Sequence, residues 1–306
     1  SNLMKNKIII GSRGSKLALI YAERAKIDLL KNQEIENVEI KSITTTGDTI
    51  KDVRVSEHGG KGLFCKTIEQ ELLDKKIDIA IHALKDMPSD ETDGLITNCF
   101  LKRNDPREIL ISSDNKNIED LKTNAIVGTS SFRREFQIKR IRKDLNCKLI
   151  RGNVDTRIKK LNENLYDAII LSYAGIKSLG LEEKISQTFS TSEIIPSAGQ
   201  GVVALQCRRN DEELISLLDK INHKPTHECI KAERNVLKTL EGDCETAVGV
   251  FASIDDNNIN IQAELFSLDG KERFYLKLSK DLKLANELGR EVGEILKKQS
   301  NNSYKK

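Results

Sequence analysis

The chain has 306 residues, of which 38% are hydrophobic and 32% are charged, so it is long enough to bury cores in two or three domains. Its formal net charge of +3 is too small to favour a protein that wraps nucleic acid through a general positive field. No apolar run approaches the length of a membrane span and no signal peptide is evident, so we expect a cytoplasmic protein that binds neither membrane nor nucleic acid.

The first third of the chain alternates between strand and helix patterns. The predicted strands are Lys7–Ile10, Val38–Ile43 and Ile77–Leu84. The predicted helices are one that follows Ser15, with apolar positions from Leu17 to Leu29, and one at Leu63–Leu73. Apolar residues recur near every 3.6 positions in the helices, whereas the third strand is almost continuously apolar. This alternation predicts a parallel or mixed sheet with helices on both faces.

A second stretch repeats the same plan, and a third stretch differs. The second has predicted strands Ile109–Ser112, Ala125–Val127, Lys148–Ile150 and Ala168–Leu171, with helices near 131–144 and 154–164, before a strand at Val202–Cys207. The third has a helix at Thr226–Leu240, strands Val248–Ile254, Ile259–Leu265 and Phe274–Leu278, and a helix near 281–298. Three successive strands beside helices indicate a small α+β domain. We expect the Lys- and Asn-rich residues after Gln299 to be disordered.

These patterns predict an α/β protein with two lobes that contain mixed sheets, followed by a small α+β C-terminal domain. The first lobe comprises residues 1–101 with 202–219, the second comprises 107–195, and the C-terminal domain comprises 224–306. Polar crossovers near 102–106, 196–201 and 220–223 are the predicted hinges. Ligands of bilobal proteins bind near strand carboxyl ends and helix starts, between the lobes.

Two helix starts in the second lobe carry a dense group of anion-binding residues. Small polar turns that open a helix offer unpaired backbone N–H groups and a positive dipole end, and arginines add planar forks that grip carboxylates. The candidate ligand-binding residues are Thr129, Ser130, Ser131, Arg133, Arg134, Arg151, Gly152 and Arg157. Arg13 and Ser15 repeat this logic at the first strand–helix turn of the first lobe, which predicts a two-sided site for a ligand with several negative charges.

Lys85 and Asp86 follow the buried strand of the first lobe directly. They are either a surface ion pair of little energetic value or a cleft pair whose carboxylate stabilises a cationic intermediate. Gly59-Gly60-Lys61-Gly62 lacks the spacing of a nucleotide-binding phosphate loop, so we interpret it as a lid that contains Lys61.

The six cysteines form no Cys-x-x-Cys pair and none has a histidine at ligand spacing, so we predict neither a metal site nor a disulfide framework. Any one of them can be inert packing. Cys244 differs because it follows Glu241-Gly242-Asp243 in a turn-like segment.

Together these segments resemble the hydroxymethylbilane synthase (porphobilinogen deaminase) family, from about Ile8 to the last helix. The matching segments are residues 11–18, 59–64, 82–88, 127–134, 151–157, 199–201 and 240–244. The resemblance implies two lobes similar to those of periplasmic binding proteins and a third domain with a dipyrromethane cofactor on Cys244, through a thioether. It further implies a monomeric transferase of haem biosynthesis that joins four porphobilinogen molecules head to tail and releases ammonia at each step.

The resemblance also assigns roles to residues. Asp86 matches the family's catalytic carboxylate, and Lys85 beside it is a second candidate catalytic residue. Lys85 and Gln200 also join the carboxylate-binding residues named above. Phe64 either stacks beside a pyrrole ring or belongs to the core.

The chain departs from the family pattern at three positions. Ser178 replaces a common arginine, Ala83 replaces a common serine, and Asp243 replaces the glycine usual before the cofactor cysteine.

The main alternative is a bilobal protein that binds an oligoanion without transforming it, which would need the arginines but neither Cys244 nor Asp86.

Overall fold

The computed structural model describes residues 7–49, 62–243 and 245–306. Its strands are β1 (Lys7–Arg13), β2 (Asn37–Ile43), β3 (Ile79–Ala83), β4 (Leu95–Phe100), β5 (Glu108–Ser112), β6 (Ile126–Gly128), β7 (Asn146–Lys148), β8 (Ala168–Ser172), β9 (Gln187–Thr188), β10 (Val203–Arg208), β11 (Val248–Asp255), β12 (Asn258–Phe266) and β13 (Arg273–Asp281). Its α-helices are α1 (Lys16–Leu30), α2 (Thr46–Thr49), α3 (Gly62–Leu73), α4 (Phe132–Ile141), α5 (Val154–Asn162), α6 (Tyr173–Ser178), α7 (Glu212–Ile221), α8 (Lys224–Leu240) and α9 (Ala285–Ser300). None of the helices in these described ranges is both long enough and apolar enough to cross a membrane.

The described residues fall into two compact units, of which the first contains 7–49, 62–104 and 202–227. Its sheet has the strand order β2-β1-β3-β10-β4, in which β2, β1 and β3 run parallel and β10 runs antiparallel to both neighbours. Helix α1 begins after Ser15, whose side chain accepts a hydrogen bond from the Ala18 N–H at 3.3 Å. Because Tyr21, Ala25 and Leu29 share one face of this helix, they pack together into the core beneath the sheet.

The second unit contains 105–201 and 228–306 apart from position 244, and it holds the other two sheets. One has the order β7-β6-β8-β5-β9, with β7, β6 and β8 parallel and β5 antiparallel to β8 and β9. Three parallel strands followed by an antiparallel pair is also the arrangement in the first unit. The two sheets therefore place strand carboxyl ends and helix starts in the same way.

The remaining sheet is the antiparallel meander β11-β12-β13, packed against α8 and α9. The two helices approach closely at Gly289, where an added Cβ atom would lie 2.2 Å from the carbonyl oxygen of Ala232. Within the unit, the Val250 N–H donates to the Pro196 carbonyl at 2.8 Å. The buried Glu233 carboxylate accepts hydrogen bonds from the N–H groups of Gly199 and Ala252, both at 2.8 Å.

The predicted mixed α/β class and the α+β character of the C-terminal part are confirmed. Strand β1 continues to Arg13 rather than ending at Ile10, because it pairs with β2 as far as Ile43. The sequence patterns missed β4, β9, α2, α6 and α7. The prediction of a disordered segment after Gln299 is wrong, since Tyr304 is only 1% exposed and belongs to the core of α8, α9 and the meander.

Candidate active site

Arg13 is the last residue of β1 and is held on two sides by neighbours from the same unit. Its Nε and Nη2 atoms donate to Asp48 Oδ1 at 2.9 and 2.5 Å, and its guanidinium lies over the Phe64 ring, 4.3 Å from the ring centre. The other oxygen of Asp48 accepts hydrogen bonds from the Thr45 N–H and hydroxyl at 3.1 and 2.8 Å. The arginine that the sequence predicted as a ligand-binding residue is therefore oriented by a carboxylate and an aromatic ring.

Asp48 stays ionised in this arrangement. Burial by itself raises the pKa of Asp48, but hydrogen bonds and charge from Arg13, together with hydrogen bonds from Thr45, outweigh it and lower the pKa. The Arg13 and Asp48 side chains are 27% and 23% exposed, so the pair is accessible to solvent. The sequence analysis did not identify Asp48. The available clue was that Asp48 lies shortly after β2, the parallel neighbour of the strand that ends at Arg13.

Lys85 and Asp86 lie in the short 3₁₀ turn Leu84–Asp86 that directly follows β3. The Leu84 N–H donates to the Val202 carbonyl at 2.9 Å, which fixes the start of this turn. Both side chains are half-buried. Because β3 runs parallel to β1, the carboxyl ends of the two strands share one edge of the sheet. The structure thus brings Lys85 and Asp86 to the edge that carries Arg13 and Ser15.

A buried polar chain begins at the end of β3, beneath this turn. His82 Nε2 lies 2.8 Å from Gln206 Oε1, and the Gln206 amide donates to Glu69 at 2.7 Å. The Thr92 hydroxyl donates to the other oxygen of Glu69 at 2.9 Å. Burial lowers the pKa of His82, against opposing effects from Gln206, Glu69 and Asp86. His82 is therefore a neutral, buried residue whose contact with Gln206 lies directly before the Leu84–Asp86 turn.

In the second unit, a hydroxyl-rich turn separates β6 from α4. The Thr129 hydroxyl accepts the Ser131 N–H at 3.1 Å, and the Ser131 hydroxyl caps α4 by accepting the Arg134 N–H at 3.2 Å. Thr129 is buried, whereas Ser130 and Ser131 are half-buried. The predicted start of the second-lobe helix is thus confirmed, and three hydroxyl residues lie at its positive dipole end.

The start of α5 carries two more of the predicted ligand-binding arginines, Arg151 and Arg157. Asn153 caps α5 by accepting the Thr156 N–H at 3.1 Å, and Gly152 has a φ of +110°, a conformation that favours glycine. Arg157 is half-buried and its Nε donates to the Gly152 carbonyl at 2.8 Å, whereas Arg151 is buried at 8% exposure. Because β7 and β8 both run parallel to β6, these residues and the Thr129–Ser131 turn lie at one edge of the second sheet, where α6 also begins after Ser172.

Three other predicted ligand-binding residues surround a carboxylate that sequence reasoning missed. Arg134 contacts Glu108 through Nε at 2.6 Å and Nη2 at 3.0 Å, Arg133 Nη2 lies at 2.8 Å, and Gln200 Nε2 lies at 2.6 Å. Glu108 is fully buried, and the two arginine side chains are 7% and 9% exposed. Arg133 Nη1 also donates to the Ile195 carbonyl at 2.9 Å.

This Glu108 cluster carries two guanidinium groups and one carboxylate. Burial is the strongest influence on the pKa of Arg133 and lowers it, against the charge of Glu108, while Arg134 lowers it further. No signal in the sequence distinguishes Glu108 from any polar residue at the edge of a predicted strand.

Two predicted site residues, Lys61 and Cys244, lie outside the described residues, as do Gly59 and Gly60 of the predicted lid. Phe64 is described and half-buried, and it stacks on Arg13. Within the part of the chain that the structure describes, no group of three or more His, Cys, Asp and Glu side chains is arranged to hold a metal ion.

Comparison with known proteins accounts for nearly the whole chain. Residues 8–216 match the family described as "Porphobilinogen deaminase, dipyromethane cofactor binding domain", and residues 227–298 match "Porphobilinogen deaminase, C-terminal domain". The porphobilinogen deaminase of Staphylococcus carnosus is 44% identical over 296 residues, which cover 96% of this chain and 95% of that protein. That of Syntrophomonas wolfei is 43% identical over 95% of each chain. Among solved structures, the periplasmic VFT2 domain of Bordetella pertussis BvgS matches with a TM-score of 0.44 at 12% identity, over 71% of this chain and 86% of that domain. At these identities and coverages, the chain belongs to the porphobilinogen deaminase family.

Proposed function

We propose that this protein is a hydroxymethylbilane synthase, which condenses four porphobilinogen molecules head to tail and finally releases the linear product with water. A dipyrromethane, attached through a thioether to Cys244, supplies the first free α-carbon to be extended and stays on the protein. In each step the carbon–nitrogen bond of the substrate aminomethyl group breaks and ammonia leaves. A carbon–carbon bond to the terminal ring then forms, and that ring loses its α-proton.

One observation carries the assignment of the chemistry. Lys85 and Asp86 follow β3 at the sheet edge where Arg13 ends β1 and Ser15 follows it. A half-buried carboxylate at this edge can accept a hydrogen bond from a pyrrole N–H while Arg13, Ser15 and Lys85 hold the carboxylates of the same ligand. We propose that Asp86 stabilises the positive charge that develops when ammonia leaves and assists the proton transfers around it.

The donor set of both sheet edges fits a polycarboxylate. Each pyrrole unit carries an acetate and a propionate, so each elongation adds two negative charges. Hydroxyls at helix starts and guanidinium groups are the groups that bind such charges best. In the second unit we assign ligand carboxylates to Thr129, Ser130, Ser131, Arg151, Gly152 and Arg157.

Arg133, Arg134 and Gln200 have a more indirect part in this proposal. Their contacts with Glu108 occupy much of their hydrogen-bonding capacity, and one carboxylate balances only one of the two guanidinium charges. We propose that they keep a positive potential behind the Thr129–Ser131 turn and offer only their remaining N–H groups to the ligand.

The test of the catalytic assignment is Asp86→Asn, with Asp90→Asn as its matched control. Asp90 is an exposed aspartate four positions further along the chain. We expect D86N to retain the cofactor and to lower kcat by about 10²-fold or more, since a positioned acid–base group contributes about 10²–10⁴. D90N should leave kcat unchanged. Near-normal turnover of D86N would remove Asp86 from the mechanism.

The test of the cofactor assignment is the intact mass of protein made in cells that produce porphobilinogen. We expect the added mass of a dipyrrole on the peptide that contains Cys244. An unmodified peptide would instead favour a protein that binds an oligoanion without transforming it.

We further propose that the protein acts as a cytoplasmic monomer without a nucleic-acid partner. Light scattering at micromolar concentration checks the monomer, and a binding titration with RNA at physiological salt checks the absence of that partner.

A further inference from the structure

The segment that follows α9 reverses direction and packs against its own unit. Asn301 and Asn302 adopt left-handed conformations, with φ values of 49° and 60°, which asparagine tolerates better than most residues. The Ser303 N–H donates to Ser300 at 3.0 Å, and the Ser303 carbonyl accepts the Leu268 N–H at 2.9 Å. These contacts give residues 301–306 a defined path.

Tyr304 joins this segment to the end of α8. Its ring is 1% exposed and packs in the core formed by α8, α9 and the meander. Its hydroxyl donates to the carbonyl of Leu240 at 2.8 Å, and Leu240 is the last residue of α8. The last carbonyls of a helix have no partner within the helix, so Tyr304 satisfies one of them at the point where the next turn begins.

Lys305 and Lys306 extend over that next turn. Lys305 Nζ lies 3.9 Å from a carboxylate oxygen of Glu241, and Lys306 forms an ion pair with Glu245. The hydrogen bond and charge of Glu245 raise the pKa of Lys306, and the charge of Asp243 adds to the effect. Two cations thus lie beside three carboxylates at the carboxyl end of α8, where positive charge is also favoured by the helix dipole.

The turn itself has short-range hydrogen bonds. The Asp243 N–H donates to the Thr246 hydroxyl at 3.0 Å, and the Glu245 N–H donates to Asp243 Oδ1 at 2.8 Å. These bonds join described residues on either side of position 244 and involve no other part of the unit. Tyr304, Lys305 and Lys306 add contacts to Leu240, Glu241 and Glu245 from a distant part of the chain.

We propose that residues 301–306 form a clamp that holds the described residues on either side of position 244, from Leu240 to Asp243 and from Glu245 to Thr246, and offsets their negative charge. The inference rests on the proposed attachment of the dipyrromethane to Cys244. A group with four carboxylates would add to the charges of Glu241, Asp243 and Glu245, and the two lysines reduce that repulsion. Asp243, where the family pattern has glycine, makes the offset more important in this chain.

The first test measures, in protein without the cofactor, how strongly residues 301–306 protect the neighbouring amides from hydrogen exchange. Hydrogen exchange is followed at the amides of residues 241–246 in protein made in cells that lack porphobilinogen. Tyr304→Phe removes one hydroxyl, and K305Q/K306Q removes both charges. We expect exchange about fivefold faster in each variant, the effect of losing about one hydrogen bond. The control K297Q/K298Q makes the same charge change in the last turn of α9 and should exchange like the parent chain. Equal exchange in all four proteins would overturn the clamp.

The second test measures cofactor loading by intact mass in cells with limited porphobilinogen. We expect the loaded fraction of K305Q/K306Q to fall at least twofold below that of K297Q/K298Q, and loading of the variant equal to that control would refute the charge offset. If the parent chain carries no dipyrrole at all, the proposed function fails, whereas the exchange experiment still decides whether residues 301–306 hold the turn.

Discussion

Glu108→Gln tests whether the Glu108 cluster is a framework of the second unit. The native carboxylate accepts four hydrogen bonds, three of them from guanidinium N–H groups. Glutamine has nearly the same volume, so no cavity forms, but only its single oxygen can accept. Its NH₂ group would face donors, and the charge that balances Arg133 and Arg134 would be lost.

The expected cost follows from these contacts. Loss of two charge-assisted hydrogen bonds at about 1.5–3 kcal/mol each gives about 3–6 kcal/mol. Removal of one partner from a buried ion pair costs about 3–5 kcal/mol in other proteins. We therefore expect E108Q to lower the free energy of unfolding of the second unit by about 4 kcal/mol.

The assay is hydrogen exchange of the slowest amides in β5 and α4, because these amides report the unfolding of the unit that contains Glu108. Glu119→Gln is the matched control, since Glu119 is exposed in the same unit and its change should stay within about 0.5 kcal/mol. A loss in E108Q below about 1 kcal/mol, comparable to an exposed pair, would refute the framework interpretation.

Two further predictions concern the Arg13–Asp48 ion pair and the close approach of α8 and α9 at Gly289. The pKa of Asp48 is lower in the folded state than in the unfolded state. The Arg13–Asp48 pair therefore stabilises the protein fully at pH values above the pKa of Asp48 in the unfolded state, and this stabilisation is lost as the pH falls through the pKa in the folded state. Asp48→Asn should thus cost at most about 1 kcal/mol at pH 7. In thermal unfolding, the difference from the parent chain should shrink steadily as the pH falls below the unfolded pKa of about 3.9, and a difference that stays constant in acid would contradict this. Gly289→Ala should lower the free energy of unfolding by about 1–3 kcal/mol, because the added Cβ would overlap the backbone of Ala232. An unchanged melting temperature would contradict this prediction, since it would show that α8 and α9 can move apart without cost.

Local hydrogen bonding explains why much of the site could be predicted from sequence. Ser15, Ser131 and Asn153 each accept a backbone N–H three residues further along the chain, so the sequence around each cap contains the whole interaction. Most strands were predictable for a different reason, because apolar runs reflect burial directly. Lys85 and Asp86 were found because they follow such a run.

The residues that sequence reasoning missed depend on distant parts of the chain. Glu108 lies 25 positions from Arg133 and 92 from Gln200, and nothing in its neighbourhood marks it as buried. The segment after Gln299 was predicted as disordered from its composition. Composition does not show that Asn301 and Asn302 turn the chain so that a single aromatic residue, Tyr304, reaches the core.

The two carboxylates that engage the predicted arginines differ in a way that separates their roles. The Arg13–Asp48 pair is about a quarter exposed, so exchanging Asp48 for a ligand carboxylate replaces one partly hydrated pair with another at little cost. The Glu108 cluster is almost fully buried, and opening it would leave a charged group without a partner in the core. If Arg13 binds ligand carboxylates as proposed, it can therefore exchange Asp48 for them as the ligand grows, whereas Arg133 and Arg134 must keep their contacts with Glu108. If ligand binding requires a side chain to move, we expect that side chain to be Arg13. Asp48→Asn should then change KM by an amount that depends on the number of pyrrole units already added, whereas Glu119→Gln should leave KM unchanged.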